Sequence, residues 1–262
     1  FRLEFRKSGL SMTTLAGKVA LVTGGSGSIG GAIAERLARE GLIVVISYVG
    51  FEEGADAALD AVREAGSDGM IVPLDQRDPD SIDRTIEQVI EQYSRLDVLV
   101  NNAAWNIGIP FPDLDALTPD VWDRVLETNL RGPFLLARAA ATALKSSQGY
   151  VINISSAGGI TPGSSSIAYS SSKAGLNHLT RCLAVAMAPE VKVNCIAPGL
   201  VEGTRMANRL PQRNAEGARR QAVLKRVGAL EDISEQVVTF CRSDSVTGQT
   251  IVIDGGMPGA MR

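Results

Sequence analysis

The chain has 262 residues, 45% of them hydrophobic and 21% charged, with a formal net charge of −3. This composition supplies a sizeable core and gives no electrostatic basis for binding nucleic acid or an anionic membrane surface. No apolar run approaches the ~18 residues needed to span a bilayer; the longest candidate, LIVVISYV, is strand-sized.

In chain order, the opening FRLEFRKSGLSM alternates charge with bulky apolar residues and lacks both the apolar block of a secretory signal and an initiator methionine. Met12 is expected to be the natural start, residues 1–11 a remnant foreign to the natural chain, and residues 12–262 one domain; a functional N-terminal arm is the alternative. Short β-branched runs then recur: KVALVTG, LIVVISY, GMIVPLD, LDVLVNNA, GYVINISS, VKVNCIAPG and QTIVIDGG. Amphipathic stretches such as SIGGAIAERLAREG and DSIDRTIEQVIEQYSRL lie between them. Strands apolar nearly throughout fit a parallel sheet covered on both faces, and regular alternation implies right-handed crossovers. The expected fold is therefore α/β, a Rossmann-type doubly wound sheet of about seven strands with helices on both faces.

The first strand ends in VTGGSGSIGG, which fits several glycine templates. Gly25, Gly27 and Gly30 spell G-x-G-x-x-G, and Thr23, Gly24, Gly27 and Gly30 spell T-G-x-x-G-x-x-G. T-G-x-x-x-G-x-G fits except that Ser28 replaces a glycine. A glycine loop opening a helix lets the backbone approach a pyrophosphate, which the free N–H groups of the helix end then hold. Gly24, Ser26, Gly27, Ser28, Ile29 and Gly30 are the candidate contacts. The second strand ends at Ser47 and Tyr48, with no acid to hold a ribose 2′-hydroxyl and no Arg or Lys beside it, while Glu52 and Glu53 follow. This favours NADP(H) and leaves NAD(H) open. Asp75, ending the third strand, suits the adenine edge.

Between NCIAPG and the helix near Glu231 lies a long segment carrying Arg205, Arg209, Arg213, Arg219 and Arg220. It follows the carboxyl end of a strand, where open α/β sheets bind ligands, so it is a candidate substrate lid; most of its arginines read as solvated surface. Cys182, Cys195 and Cys241 read as buried thiols of a reducing, cytoplasmic compartment. The single histidine, His178, has no neighbouring ligand pattern, so neither a metal site nor a Ser-His-Asp triad is expected.

Tyr169 and Lys173 stand four apart in YSSSK. On a helix they share a face, and an ammonium beside a phenol favours the phenolate and lowers its pKa. Such a pair can exchange a proton with a substrate oxygen near neutral pH.

With these motifs the chain resembles the short-chain dehydrogenase/reductase family, in its classical, compact branch. Ser156 lies thirteen residues before Tyr169, NNAA (Asn101 to Ala104) resembles the family's N-N-A-G, and Asn129 in ETNLRGPF matches a fourth catalytic position. Pro198-Gly199 and DGG complete the pattern, from about Leu15 to Gly256. The resemblance implies hydride transfer between a nicotinamide and a carbonyl or alcohol. Tyr169 is then the acid or base, Lys173 its modulator and a holder of the nicotinamide ribose, and Ser156 the orienter of the substrate oxygen. Asn129 would hold a water linking Lys173 to solvent. Ser155, one residue too far from Tyr169, is expected to be structural. Asn102, Ala103, Pro198, Gly199 and Thr204 join Tyr169 and Lys173 as implied cofactor contacts; Thr204 stands one place later than the family's threonine, behind Gly203. Gly27 stands where many NADP-preferring relatives carry Arg or Lys.

Among relatives, 3-oxoacyl carrier-protein reductases and sugar dehydrogenases look most similar, although Glu190 stands where carrier-protein reductases offer basic residues. An epimerase or dehydratase of the extended branch is one alternative, and a non-catalytic nucleotide sensor on the same fold another. Helices expected over roughly Pro119–Ser146 and Ala168–Ala188 carry surplus apolar surface, and the family seam built from them implies a homodimer or homotetramer.

Overall fold

Each of the seven β-branched runs forms a strand: β1 (Val19–Val22), β2 (Ile43–Tyr48), β3 (Gly69–Pro73), β4 (Val98–Asn101), β5 (Tyr150–Ile154), β6 (Lys192–Pro198) and β7 (Thr250–Ile253). The computed structural model describes residues 14–209 and 212–260, so residues 1–11 and the expected start at Met12 lie outside the described residues. All strands run parallel in the order β3-β2-β1-β4-β5-β6-β7.

Alternate side chains of the strands inside the sheet enter two separate cores, which is why those strands are apolar at nearly every position, while β7 at the edge packs one face only. Ala20, Val22, Val44, Ile46 and Val100 face Ile33 and Leu37 of α1 (Ser28–Arg39), Val62 of α2 (Glu52–Glu64) and Val237 and Phe240 of α10 (Leu230–Cys241). Val19, Leu21, Val45, Leu99 and Val151 face Ile82 and Val89 of α3 (Pro79–Tyr93), Leu136 of α5 (Gly132–Ala139), Leu144 of α6 (Ala141–Ser146) and Leu183 of α7 (Ile167–Ala186). Helix starts follow local chemistry. Asp78 caps α3 ahead of Pro79, Thr118 caps α4 (Pro119–Leu126) ahead of Pro119, and Ser166 caps α7 by accepting from Tyr169 N.

The helix expected over Pro119–Ser146 is interrupted. A π turn, Glu127–Arg131, separates α4 from α5. Pro133 explains the break: it has no N–H to give the Asn129 carbonyl four residues back. Between β6 and α10 the long segment folds into α8 (Arg205–Arg209) and α9 (Gln212–Gln221).

Cys195 and Cys241 are buried as expected, but Cys182 is exposed. It shares the outward face of α7 with His178 and with Val185, which is 82% exposed. No described helix is long and apolar enough to cross a membrane.

Candidate active site and nucleotide cleft

The strand order reverses direction between β1 and β4, the switch point where open α/β sheets form their ligand crevice. The β1–α1 loop and the β4 tail meet there. Thr23 Oγ1 accepts from Asn102 N (3.0 Å) and Ala103 N (2.9 Å), and Asn102 Nδ2 donates to Thr23 O (2.9 Å) and Gly24 O (3.2 Å). These bonds weld the two tails into one rigid wall. Gly24 adopts φ +62°, a left-handed conformation that glycine takes without strain. A Cβ on Gly30 would sit 2.4 Å from Gly24 O and 2.7 Å from Asn102 Nδ2, so only glycine fits.

A cleft of about 350 Å³ opens above this wall. It gathers Gly24, Ser26, Gly27, Ser28, Ile29, Gly30, Tyr48, Asn102, Ala103 and Thr204, ten of the residues expected to hold a cofactor. Gly27 N-caps α1 at φ −94° and no side chain caps the helix, which leaves its first N–H groups to face the cleft as an anion site. Ser28 is the first helical residue, so its place in the glycine template demands no left-handed backbone. Thr204 follows Gly203, at φ +77°, and its Oγ1 donates to Val201 O (2.9 Å) while accepting from Ala207 N (3.1 Å).

Six expected contacts, Tyr169 and Lys173 among them, lie outside this lining. Ser47 is buried, and its Oγ accepts from Gly24 N at 3.3 Å, so it braces the loop from behind instead of lining the cleft. The Asp75 carboxylate is occupied by Arg77, accepting from Nε (3.1 Å) and Nη2 (2.7 Å), which holds it below the usual carboxylate range; its neighbour Leu74 lines the cleft. Pro198 ends β6 and Gly199 N donates to Ile253 O, placing both at the β6–β7 edge, outside the cleft lining.

The residues expected to handle the proton cluster on α7 and the end of β5. Tyr169 and Lys173 are both buried, with Lys173 Nζ 5.7 Å from the Tyr169 ring centre. Ser156 hydrogen-bonds the Tyr169 hydroxyl, and its Oγ accepts from Gly158 N (3.1 Å). Burial raises the Tyr169 pKa above its ordinary value, and the Ser156 bond opposes that rise. The downward pull expected from Lys173 is not what dominates here, because its ammonium donates to Ile154 O at 2.9 Å. Burial also lowers Lys173 to about 8. Ser155 Oγ donates to Lys173 O (3.0 Å), the structural role expected of it.

Asn129 sits in the π turn, buried. Its Oδ1 accepts from Trp105 N (2.8 Å), and its Nδ2 donates to Trp105 O (2.9 Å) and Ser172 Oγ (3.2 Å). Both amide protons are spent, so the side chain is a clamp on the segment after NNAA. The Asn129 carbonyl, for its part, has Pro133 four residues on, which carries no N–H to give it.

Sequence reading missed Gln76, and it placed Arg205 in the candidate substrate lid without assigning it to this cleft. Buried Gln76 donates to Ala103 O (3.1 Å) and Thr128 O (2.6 Å), tying the β4 tail to the π turn. Arg205 lines the cleft from α8. Neither belongs to a local motif; only the fold brings each to its partners. Among the described residues, no group of three His, Cys, Asp or Glu side chains is placed to hold a metal ion.

Residues 24–258 match a family model described as enoyl-(acyl carrier protein) reductase. The chain is 39% identical over 240 residues to a candidate ketoacyl reductase of the granaticin polyketide synthase of Streptomyces violaceoruber, covering 91% of this chain and 95% of that protein. It is similar to the crystal structure of a short chain dehydrogenase from Burkholderia cenocepacia in complex with NADP, with TM-score 0.86, 32% identity, and coverage of 94% and 100% of the two chains. A xylitol dehydrogenase bound to NAD+ gives TM-score 0.84 at 27% identity, over 93% and 100% of the two chains.

Proposed function

The chain belongs to the short-chain dehydrogenase/reductase family and is a nicotinamide-dependent oxidoreductase of carbonyl and alcohol groups, and from that premise we propose that it works with NADP(H) through Tyr169, Ser156, Lys173 and Asn129. The observation that carries this reading is the buried Tyr169, Ser156 and Lys173 gathered at the end of β5, the strand next to the β4 tail that walls the glycine cleft.

The cleft fits the cofactor: a glycine wall admits the pyrophosphate to the uncapped end of α1, and Tyr48 stands at the adenosine end. When bound, the nicotinamide supplies or accepts the hydride. The protein's part is the proton. In reduction, the Tyr169 hydroxyl gives its proton to the substrate oxygen as negative charge develops there, and Ser156 donates to that same oxygen. Burial favours the neutral phenol, which suits an acid. Lys173 stabilises the phenolate left behind, and the Asn129 carbonyl holds the water through which the proton is restored. Oxidation runs these steps backwards.

Tyr169→Phe removes one oxygen and little else. Turnover should fall by about 10²–10⁴-fold with NADPH binding nearly unchanged. A Phe variant that turned over a carbonyl panel at the normal rate would remove Tyr169 from the reaction.

We also propose a cytoplasmic homodimer or homotetramer. Support for the assembly is a groove of about 520 Å³ along α4, α5 and α7, lined by Leu126, Leu130, Phe134 and Leu179 with charged rims. Sedimentation at micromolar concentration should show at least twice the 27.6 kDa chain mass; a monomer would contradict it.

A further inference from the structure

Arg205 is the one charged side chain among the described residues lining the nucleotide cleft. It comes from α8, next to Thr204 and outside the βαβ units that build the glycine wall. Its guanidinium carbon lies 5.0 Å from the centre of the Phe51 ring, within range of a cation–π contact. Phe51 is the N-cap of α2, three residues past Tyr48, the last residue of β2. In this kind of sheet the end of β2 meets the adenosine ribose, and the side chains there decide between a 2′-hydroxyl and a 2′-phosphate.

The β2 end offers a 2′-phosphate no cation of its own. Ser47 is committed to Gly24 N, and the Tyr48 hydroxyl is hydrogen-bonded to Glu52. Glu52 and Glu53, both exposed, add negative charge nearby. Arg205 differs from Arg36, Arg77, Arg219, Arg226 and Arg242, each of which pairs with a carboxylate. No ion pair joins Arg205 to a described carboxylate; the face of Phe51 holds it, and its five donors stay available.

We propose that Arg205, seated on Phe51, binds the 2′-phosphate of NADP(H) and is the residue that sets this protein's preference for it. The planar fork suits a phosphate, and the aromatic seat fixes it without neutralising it. The inference rests on the nicotinamide reading above. It gives Arg205 a binding role and no part in the proton chemistry.

The test is direct binding of NADPH and NADH to the wild type and to Arg205→Ala, Arg205→Lys and Phe51→Leu. Adenosine 2′,5′-bisphosphate and adenosine 5′-monophosphate serve as probes that lack the nicotinamide. Arg205→Ala should weaken NADPH and the 2′,5′-bisphosphate about tenfold, while NADH and the monophosphate stay within about twofold. Arg205→Lys should keep part of the NADPH affinity, and Phe51→Leu should lose part of it. Equal losses for NADPH and NADH would move Arg205 to the pyrophosphate and overturn the proposal, as would no loss for either. A wild type that binds NADH more tightly than NADPH overturns the preference whatever Arg205 does. A wild type that binds neither overturns the nicotinamide reading itself.

Discussion

The two sides of the nucleotide cleft are made in opposite ways. The β1–α1 side is backbone: Gly24 in a left-handed conformation, Gly30 pressed against its carbonyl, and Thr23 and Asn102 lacing two strand tails together. The α8 side is side chains on a five-residue helix, with Thr204 and an exposed Arg205 reaching across to the start of α2. On the first side, Gly24 and Gly30 cannot change without a clash. The second can change charge or size at little structural cost. A fold built this way keeps its hold on a pyrophosphate while leaving the choice of dinucleotide open to substitution.

The sharpest way to break that comparison is Gly30→Ala. The new Cβ meets Gly24 O and Asn102 Nδ2, both fixed by the strand tails, so nothing flexible can give way. Nucleotide binding should fall by about 100-fold or more, and stability by about 1–3 kcal/mol. Calorimetric titration and thermal melting measure the two losses. A variant that bound NADPH normally would show that the wall is softer than its hydrogen bonds imply.

A smaller effect lies in the proton-handling cluster. Lys173 is lowered to about 8 from 10.5 because its ammonium is buried. Below pH 8 the folded protein carries that buried charge and the unfolded chain carries the same charge in water, so the cost to stability is fully present there. The cost is relieved as pH rises from about 8 through 10.5, above which both states are neutral. Lys173→Met should therefore stabilise the protein at pH 7 by about 1–3 kcal/mol while turnover collapses. The gain should shrink towards zero near pH 10.5. Melting temperatures of the two proteins across this range decide it: a gain independent of pH would assign the effect to packing and not to charge.

The same contrast explains what was legible in the sequence. The five central strands could be read because burial on both faces leaves an unbroken apolar signature in each run, and the edge strands β3 and β7 carry β-branched residues although they are only partly buried. Tyr169 and Lys173 could be read because helical spacing places them together. Backbone features carry local signals, so the glycine loop was visible before the fold was. Contacts made by the chain closing on itself leave no such signal. Nothing near Arg205 announces Phe51, and nothing near Asn129 announces that its amide grips Trp105. The exposure of Cys182 was also illegible, because α7 carries apolar residues such as Val185 on its outward face as well as on its inward one. Ser28 misled in the other direction: a glycine template position looked like a backbone requirement, yet the residue is helical.

The mildest prediction concerns Gly27, whose side of the cleft is otherwise unforgiving. Its φ is −94°, open to any residue, and an added Cβ would meet only Gly24 O, at 3.4 Å. Gly27→Arg should therefore fold normally, with a melting temperature close to that of the wild type. The new guanidinium would stand at the uncapped start of α1, within the cleft. It should raise NADPH affinity about three- to tenfold with a smaller gain for NADH, since each charge-assisted bond to a phosphate contributes on the order of 1–2 kcal/mol. Placed in the Arg205→Ala background, it should restore NADPH binding that the loss of Arg205 removed, because the new cation then serves the same phosphate from the opposite side of the cleft. If the double variant binds no better than Arg205→Ala alone, the two positions do not address a common anion.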